Sequence, residues 1–132
     1  MIYSTIHKKL YQLIPNLDTI NEYAKFKASG MMDLNVDILF REKDGTIRLA
    51  LSHYYRHPSG DMIADPDMEI KVFPDMKMAE ALTFQDCFGY REVYPSPDKV
   101  DVKAKAELNR FLNQWLSNLI NQSYQIVIDG SE

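Results

Sequence analysis

Residues 32–55 read Met32-Asp-Leu-Asn-Val-Asp-Ile-Leu-Phe-Arg-Glu-Lys-Asp-Gly-Thr-Ile-Arg-Leu-Ala-Leu-Ser-His-Tyr-Tyr55, and this stretch decides the fold. In its first half every second residue is apolar, from Met32 to Phe40, and the residues between are mostly polar. A period of two predicts a β-strand with one buried and one solvent-exposed face. Asp44-Gly45 is a strong hairpin signal, and the alternation resumes at Ile47 and continues to Tyr55. The stretch therefore predicts an antiparallel hairpin.

The residues after this hairpin predict more strands joined by short connections. Residues 57–66 contain two prolines and a glycine and are interpreted as a loop. A third strand is expected around Met68, Ile70 and Val72, a fourth within residues 76–84 and a fifth within 88–94. Consecutive strands with short turns pair antiparallel, so we expect an antiparallel sheet of four to five strands.

Helical patterns flank the predicted sheet on both sides. Residues 6–14 have apolar side chains at helical spacing, with Ser4 or Thr5 as cap and Pro15 as stop, and a second helix is predicted from Asp18 to Gly30. Near the C-terminus a wide apolar stripe predicts a long amphipathic helix; its members are Leu108, Phe111, Leu112, Trp115, Leu116, Leu119 and Ile120. Helices segregated from strands indicate an α+β fold, with the C-terminal helix packed on one sheet face.

The tail after this helix has three interpretations. Residues 124–128 are predicted to form an edge strand, to pair with a partner, or to fold back over the core. Residues 129–132 are expected to fray.

Composition limits the class of protein. The chain has 132 residues, of which 45% are hydrophobic and 26% charged, which predicts a single domain over 1–132. Its core is expected within 6–121, the span of the family resemblance given below. A net charge of −4 and a pI of about 5.3 disfavour nucleic acid as a partner. The lone Cys87, flanked by Phe84 and Phe88, is expected to be a buried thiol. One cysteine, no signal peptide and no membrane-length apolar run predict a cytoplasmic protein without membrane contact.

The chain resembles the YqiB-like bacterial proteins, a family of unknown function. The residues that carry the resemblance are His53-Tyr-Tyr, Gly60 to Val72, Tyr94-Pro95 and Leu108 to Leu116, with a leading segment from Leu10 to Pro15. The similarity covers about Ile6 to Asn121. It implies a cytoplasmic bacterial domain and supplies no catalytic residues.

Titratable residues concentrate in the segment 53–69, which is the candidate site. We expect no cofactor and no metal, but His53, His57, Asp61 and Asp65 are the ligands if a metal binds. In the alternative structural interpretation, the two aspartates stabilise a turn and His53 points with Leu49 and Leu51 toward the core or its rim. Carboxylates for acid–base catalysis are also available at Asp61, Asp65, Asp67 and Glu69.

Tyrosine and arginine side chains near this segment favour a recognition surface. The first hypothesis is a non-catalytic binding or adaptor module that takes a protein partner or small ligand on the exposed sheet face or the adjoining loop. Its binding residues are expected to be His53, Tyr55, Arg56, His57, Asp61, Asp65, Asp67 and Glu69. The alternative is a small metal-dependent or carboxylate-based hydrolase centred on 53–69. A single-strand nucleic-acid binder ranks third, and the sequence leaves the oligomeric state open.

Overall fold

The computed structural model describes residues 1–129 and has the element order α-β₇-α-β. In chain order the elements are α1 (Ile2–Leu13), β1 (Tyr23–Lys27), β2 (Leu34–Arg41), β3 (Ile47–Arg56), β4 (Met62–Phe73), β5 (Met78–Ala81), β6 (Thr83–Asp86), β7 (Gly89–Glu92), α2 (Val102–Asn121) and β8 (Gln125–Asp129). The α+β class and the long C-terminal helix are confirmed. No helix within residues 1–129 is both long and apolar enough to cross a membrane.

All eight strands belong to one antiparallel sheet, so the expectation of four to five strands was too low. The order along the sheet is β7-β6-β4-β3-β2-β1-β8, with β5 also paired to β4. One additional strand arises because the predicted fourth strand is divided into β5 and β6. The predicted third strand is β4, which begins at Met62, inside the predicted loop. Two further strands, β1 and β8, come from segments whose local pattern was ambiguous.

The predicted hairpin is confirmed in β2 and β3. The Glu42 N–H donates to the Thr46 carbonyl (2.8 Å) and the Gly45 N–H donates to the Glu42 carbonyl (3.0 Å). Gly45 has a φ of +91°, which glycine adopts without the steric cost a side chain would bring. The two strands pair antiparallel on either side of this turn, and their register shifts by one residue between Ile38 and Phe40.

The predicted second helix was wrong. Residues 23–27 form β1, with Ala24 and Phe26 buried and Tyr23 and Lys25 half-buried on the other side. The spacing of Ile20, Tyr23 and Phe26 fits a helix, but the segment pairs with β2 and fills an otherwise unpaired edge. Tertiary pairing overrides weak local propensity here.

The two helices cover one face of the sheet, here named the covered face. Leu10 from α1 and Leu112 from α2 belong to one core cluster with Leu49, Leu51 and Ile70 from the central strands. Asp101 caps α2 by accepting a hydrogen bond from the Ala104 N–H (3.0 Å). The expectation that the C-terminal helix packs on one sheet face is therefore confirmed.

One α2 side chain that the pattern assigned to the polar side is buried. Asn109 is 2% exposed, accepts a hydrogen bond from the Ala81 N–H (2.8 Å) and donates to the Lys105 carbonyl (2.7 Å). Its amide satisfies a backbone group of β5 that faces the helix. Conversely, Phe111 of the predicted stripe is 40% exposed and packs edge-to-face on Phe84.

Two predictions near the chain's later turns have clear outcomes. Cys87 is exposed, not buried, because it lies in the β6–β7 turn beside Phe88, whose side chain is 93% exposed. Residues 125–129 form an edge strand, β8, paired antiparallel with β1. Asp129 is the last residue of β8, and residues 130–132 lie outside the described residues, so the fraying of 129–132 stays a prediction.

Candidate functional site on the open face of the sheet

The residues predicted to form a site do not converge. Strands β3 and β4 and the turn between them carry all eight of them. Because successive side chains of a strand point to opposite faces, His53 lies on the covered face, whereas Asp67 and Glu69 lie on the opposite face, here named the open face. The segment 53–69 therefore contributes to two surfaces.

His53 is part of the core. It is 6% exposed, its Nδ1 lies 2.9 Å from the Asp33 carbonyl oxygen, and its ring packs edge-to-face on Trp115 with centroids 5.6 Å apart. A carbonyl only accepts hydrogen bonds, so Nδ1 is the protonated nitrogen. This is the structural interpretation of His53 that the sequence offered as the alternative to a metal ligand.

His57 and Asp61 build the exposed β3–β4 turn. The His57 N–H donates to the Asp61 carbonyl (2.8 Å), and Ser59 Oγ lies 3.0 Å from His57 Nδ1 and 3.3 Å from Asp61 Oδ2. Arg56 and Asp65 are exposed. Tyr55 is half-buried. Within residues 1–129 no three His, Cys, Asp or Glu side chains are grouped so that they could hold a metal ion.

The open face instead presents a polar row that crosses the sheet. Its members are paired directly from strand to strand, from Lys25 through Asn35, Ser52, Asp67 and Gln85 to Tyr90. A neighbouring row pairs Tyr23 with Asp37 and Asp37 with Ala50. Side chains paired in this way lie close enough to interact.

A depression of about 410 Å³ lies on the open face along these rows. Ala50 and Ser52, which belong to the same rows, are only 8% and 1% exposed. The depression is lined by Lys25, Asp33, Asn35, Asp37, Tyr54 and Met62. It is thus bordered by carboxylate, amide and phenol groups, with an amine at one side.

Asp67 and Asp37 are the acidic groups that distinguish this surface. The Tyr54 hydroxyl donates to Asp67 Oδ2 (2.5 Å). Burial, followed by this hydrogen bond and the negative charge of Asp67, raises the pKa of Tyr54 to about 12, so the phenol stays a donor at neutral pH. Burial and then the nearby Asp67 charge raise the pKa of Asp37.

The cations of the open face pair with other carboxylates. Lys25 and Lys27 lie 3.7 and 3.2 Å from the Asp33 carboxylate. The Arg48 Nη2 lies 2.7 Å from Glu69 Oε1. Across residues 1–129 no lysine or arginine lies within ion-pair distance of Asp37 or Asp67. Neither carboxylate therefore has an ion-pair partner within residues 1–129, because Lys25, which lines the same depression as Asp37, pairs with Asp33.

Sequence reasoning found Asp67 but missed Asn35, Asp37 and the role of Tyr54. The Asp-Gly signal predicted the hairpin but not these pairings. The β2–β3 register shifts by one residue between Ile38 and Phe40, and this shift places Asn35 opposite Ser52 and Asp37 opposite Ala50. The link to Asp67 required the β3–β4 register, which pairs Ser52 with Asp67. The β3–β4 register also shifts between Ser52 and Tyr54. The position of the Tyr54 hydroxyl beside Asp67 therefore does not follow from simple alternation along β3.

A family model described as Domain of unknown function (DUF6908) matches residues 2–125. No curated protein and no solved structure matches the chain. These comparisons agree with the expected unknown-function family but do not link the chain to the YqiB-like proteins or to bacteria, so that part of the resemblance stays a prediction.

Proposed function

We propose a function from the site alone, because the chain belongs to the DUF6908 family, a domain of unknown function. The proposal is a non-catalytic binding module that accepts a cationic group, such as a lysine or arginine side chain of a protein partner, in the depression of the open face. The observation that carries it is that Asp37 and Asp67 lie on the same half-buried surface and neither has an ion-pair partner within residues 1–129.

The chemistry of the depression suits a cation with several N–H donors. Asp37 offers carboxylate oxygens to which no other side chain of residues 1–129 donates a hydrogen bond. The Asn35 amide oxygen accepts from the Tyr23 hydroxyl (2.6 Å), which fixes the amide beside the depression. Hydrogen bonds between a guanidinium or ammonium and a carboxylate are about twice as strong as neutral ones. A bound cation would also reduce the repulsion between Asp37 and Asp67.

The surface favours binding over catalysis because it is broad and accessible. Tyr54 and Asp37 are half-buried and Asp33 is 38% exposed at its side chain. Recognition surfaces commonly combine tyrosine with polar groups. As part of the same proposal we place the module in the cytoplasm, since an exposed thiol such as Cys87 persists in a reducing compartment.

The test is a titration with two defined probes, a hexa-arginine peptide and arginine methyl ester. We expect NMR shifts at residues 33–37 and 52–54, and binding about tenfold weaker in Asp37→Asn and in Asp67→Asn, which corresponds to about 1.4 kcal/mol. Asp75→Asn is the matched control, because it removes the same charge from the exposed turn between β4 and β5.

Equal weakening in all three variants would show attraction to net charge alone and would contradict the proposal. Absence of binding by both probes, or shifts confined to another surface, would contradict it as well.

A carboxylate-based hydrolase is the second candidate. One observation favours it: burial and then the nearby Asp67 charge raise the pKa of Asp37, and a carboxyl group with a raised pKa can act as a general acid. Release of p-nitrophenol from chromogenic glycosides and esters tests this function. A bell-shaped pH profile that Asp37→Asn abolishes would support the hydrolase over the binding module.

A further inference from the structure

The depression on the open face is elongated along the strands. Its lining includes Asp37, which pairs with Ala50 of β3, and Met62, which pairs with Arg56 of the same strand. Six residues of β3 separate these two levels, and at roughly 3.3 Å per residue this corresponds to about 20 Å. The depression is therefore longer than a single side chain and matches a short segment of extended chain.

The two ends of the depression differ in chemistry. At one end, Asp37 and the neighbouring Asp67 have no ion-pair partner within residues 1–129. At the other end lies Met62, whose side chain is apolar and 55% exposed. The lining between the two ends comprises two neutral side chains and one ion pair, namely Asn35, Tyr54 and Lys25 with Asp33. The pattern fits a ligand with a cation at one end and an apolar group at the other.

Met62 is available to a ligand because the fold makes little use of its side chain. The hydrophobic core that is described within residues 1–129 does not include Met62. A methionine side chain is flexible and polarisable, so it adapts to apolar groups of different shape. Contact with a large apolar side chain of a partner would remove apolar surface of both from water, which is favourable.

We propose that the partner of the open face is an extended peptide segment with a basic residue and, four positions along, a large apolar residue. This inference rests on the function proposed above and specifies the chemistry of the partner. In an extended chain, residues i and i+4 point to the same side and lie about 13 Å apart. A segment that runs parallel to β3 therefore presents both side chains to the depression.

The spacing of four follows from the register of the sheet. Asp37 pairs with Ala50 and Asp67 pairs with Ser52, so a cation that contacts both carboxylates lies between these two levels. Met62 pairs about five residues further along β3, and its side chain lines the depression. A spacing of four spans most of this distance with both side chains on one side, whereas a spacing of three turns the apolar side chain away.

The test is a titration with three blocked pentapeptides of one positive charge each, followed by backbone and methionine-methyl NMR. Arg-Ser-Thr-Ser-Leu has the proposed spacing, Arg-Ser-Thr-Leu-Ser has the same composition with a spacing of three, and Arg-Ser-Thr-Ser-Ser lacks the apolar residue. We expect the first peptide to bind about fivefold more tightly than the other two, because it buries part of its leucine side chain. It should also shift the Met62 methyl resonance.

Met62→Ala should remove this fivefold preference and leave the affinity for Arg-Ser-Thr-Ser-Ser unchanged. Met76→Ala is the matched control, because Met76 is 63% exposed in the turn between β4 and β5 and does not line the depression. The control variant should keep the full preference. Because both methionines are exposed, we expect both variants to fold like the wild type.

The outcomes separate this inference from the proposed function. Binding of all three peptides at residues 33–37 with equal affinity, or a preference that Met62→Ala leaves intact, would overturn the inference about the partner while the cation site stands. Absence of binding by every peptide at the open face would overturn the cation site and this inference with it.

Discussion

The two faces of the same central strands follow different rules. On the covered face, Leu49, Leu51 and Ile70 are fully buried against the helices, and the polar groups Asn109 and His53 each have hydrogen-bond partners. On the open face, Asp37 and Asp67 lie half-buried near each other, and within residues 1–129 neither carboxylate has an ion-pair partner. Burial on the covered face stabilises the fold. The open face can therefore hold two neighbouring carboxylates, Asp37 and Asp67, although their repulsion lowers the stability.

The largest expected effect comes from removing apolar volume on the covered face. Leu112 is fully buried, and Leu112→Ala should lower the free energy of unfolding by about 2–5 kcal/mol, because the lost methyl groups leave a cavity. Leu39→Ala is the control, since Leu39 is 48% exposed, and it should cost less than about 1 kcal/mol. Urea denaturation measures both, and similar losses in the two variants would contradict the contrast between buried and exposed positions.

A smaller effect is expected where the covered face contains a polar group. Asn109→Leu should cost about 1–3 kcal/mol, because the Ala81 N–H then stays buried without its acceptor. The same substitution at Asn121, which is exposed at the end of α2, should be nearly neutral. Thermal and urea unfolding check both variants, and an Asn109→Leu protein as stable as the wild type would show that the buried amide is dispensable.

The smallest effect has the opposite sign and concerns the open face. Burial and Asp67 raise the pKa of Asp37 above its ordinary value of 3.8, so the folded state holds this proton more tightly than the unfolded state does. The resulting stabilisation is complete below the unfolded pKa and is lost as the pH rises through the folded pKa. At neutral pH the ionised Asp37 therefore destabilises the fold slightly.

Asp37→Asn should accordingly raise the stability at neutral pH by less than about 1 kcal/mol, and this gain should disappear in acid. Thermal unfolding at a series of pH values gives the measurement, with Asp75→Asn as the control. The combination of higher stability with weaker binding of the arginine probes would mark Asp37 as a residue kept for function. A loss of stability at neutral pH would remove that distinction.

Local patterns predicted the parts of the fold whose partners are close in sequence. The β2–β3 hairpin follows from alternation around Asp44-Gly45, and α2 follows from the apolar stripe around Leu112 and Leu116. Both signals lie within one element or one turn. The orientation of His53 toward the core also follows from its place in the alternation with Leu49 and Leu51.

Segments whose pairing partner is distant were predicted less well. Residues 23–27 were assigned to a helix, but they pair with β2 on one side and with β8 on the other. The Tyr124 hydroxyl donates to the Met32 carbonyl (2.5 Å) across 92 positions of the chain, so this end of the sheet depends on contacts that no local window contains. Phe84 and Phe88 likewise suggested a buried Cys87, because flanking aromatics do not report whether a turn is covered.

The sequence by itself determined the α+β class, the central hairpin and the amphipathic C-terminal helix, since each is encoded in the spacing of neighbouring side chains. Only the tertiary structure decided that Asp37 and Asp67 share one surface, that Asn109 is buried against β5, and that β8 completes the sheet beside β1. These features depend on register between strands and on helix packing. Both result from burying one face of the whole sheet at once, which is a property of the assembled core.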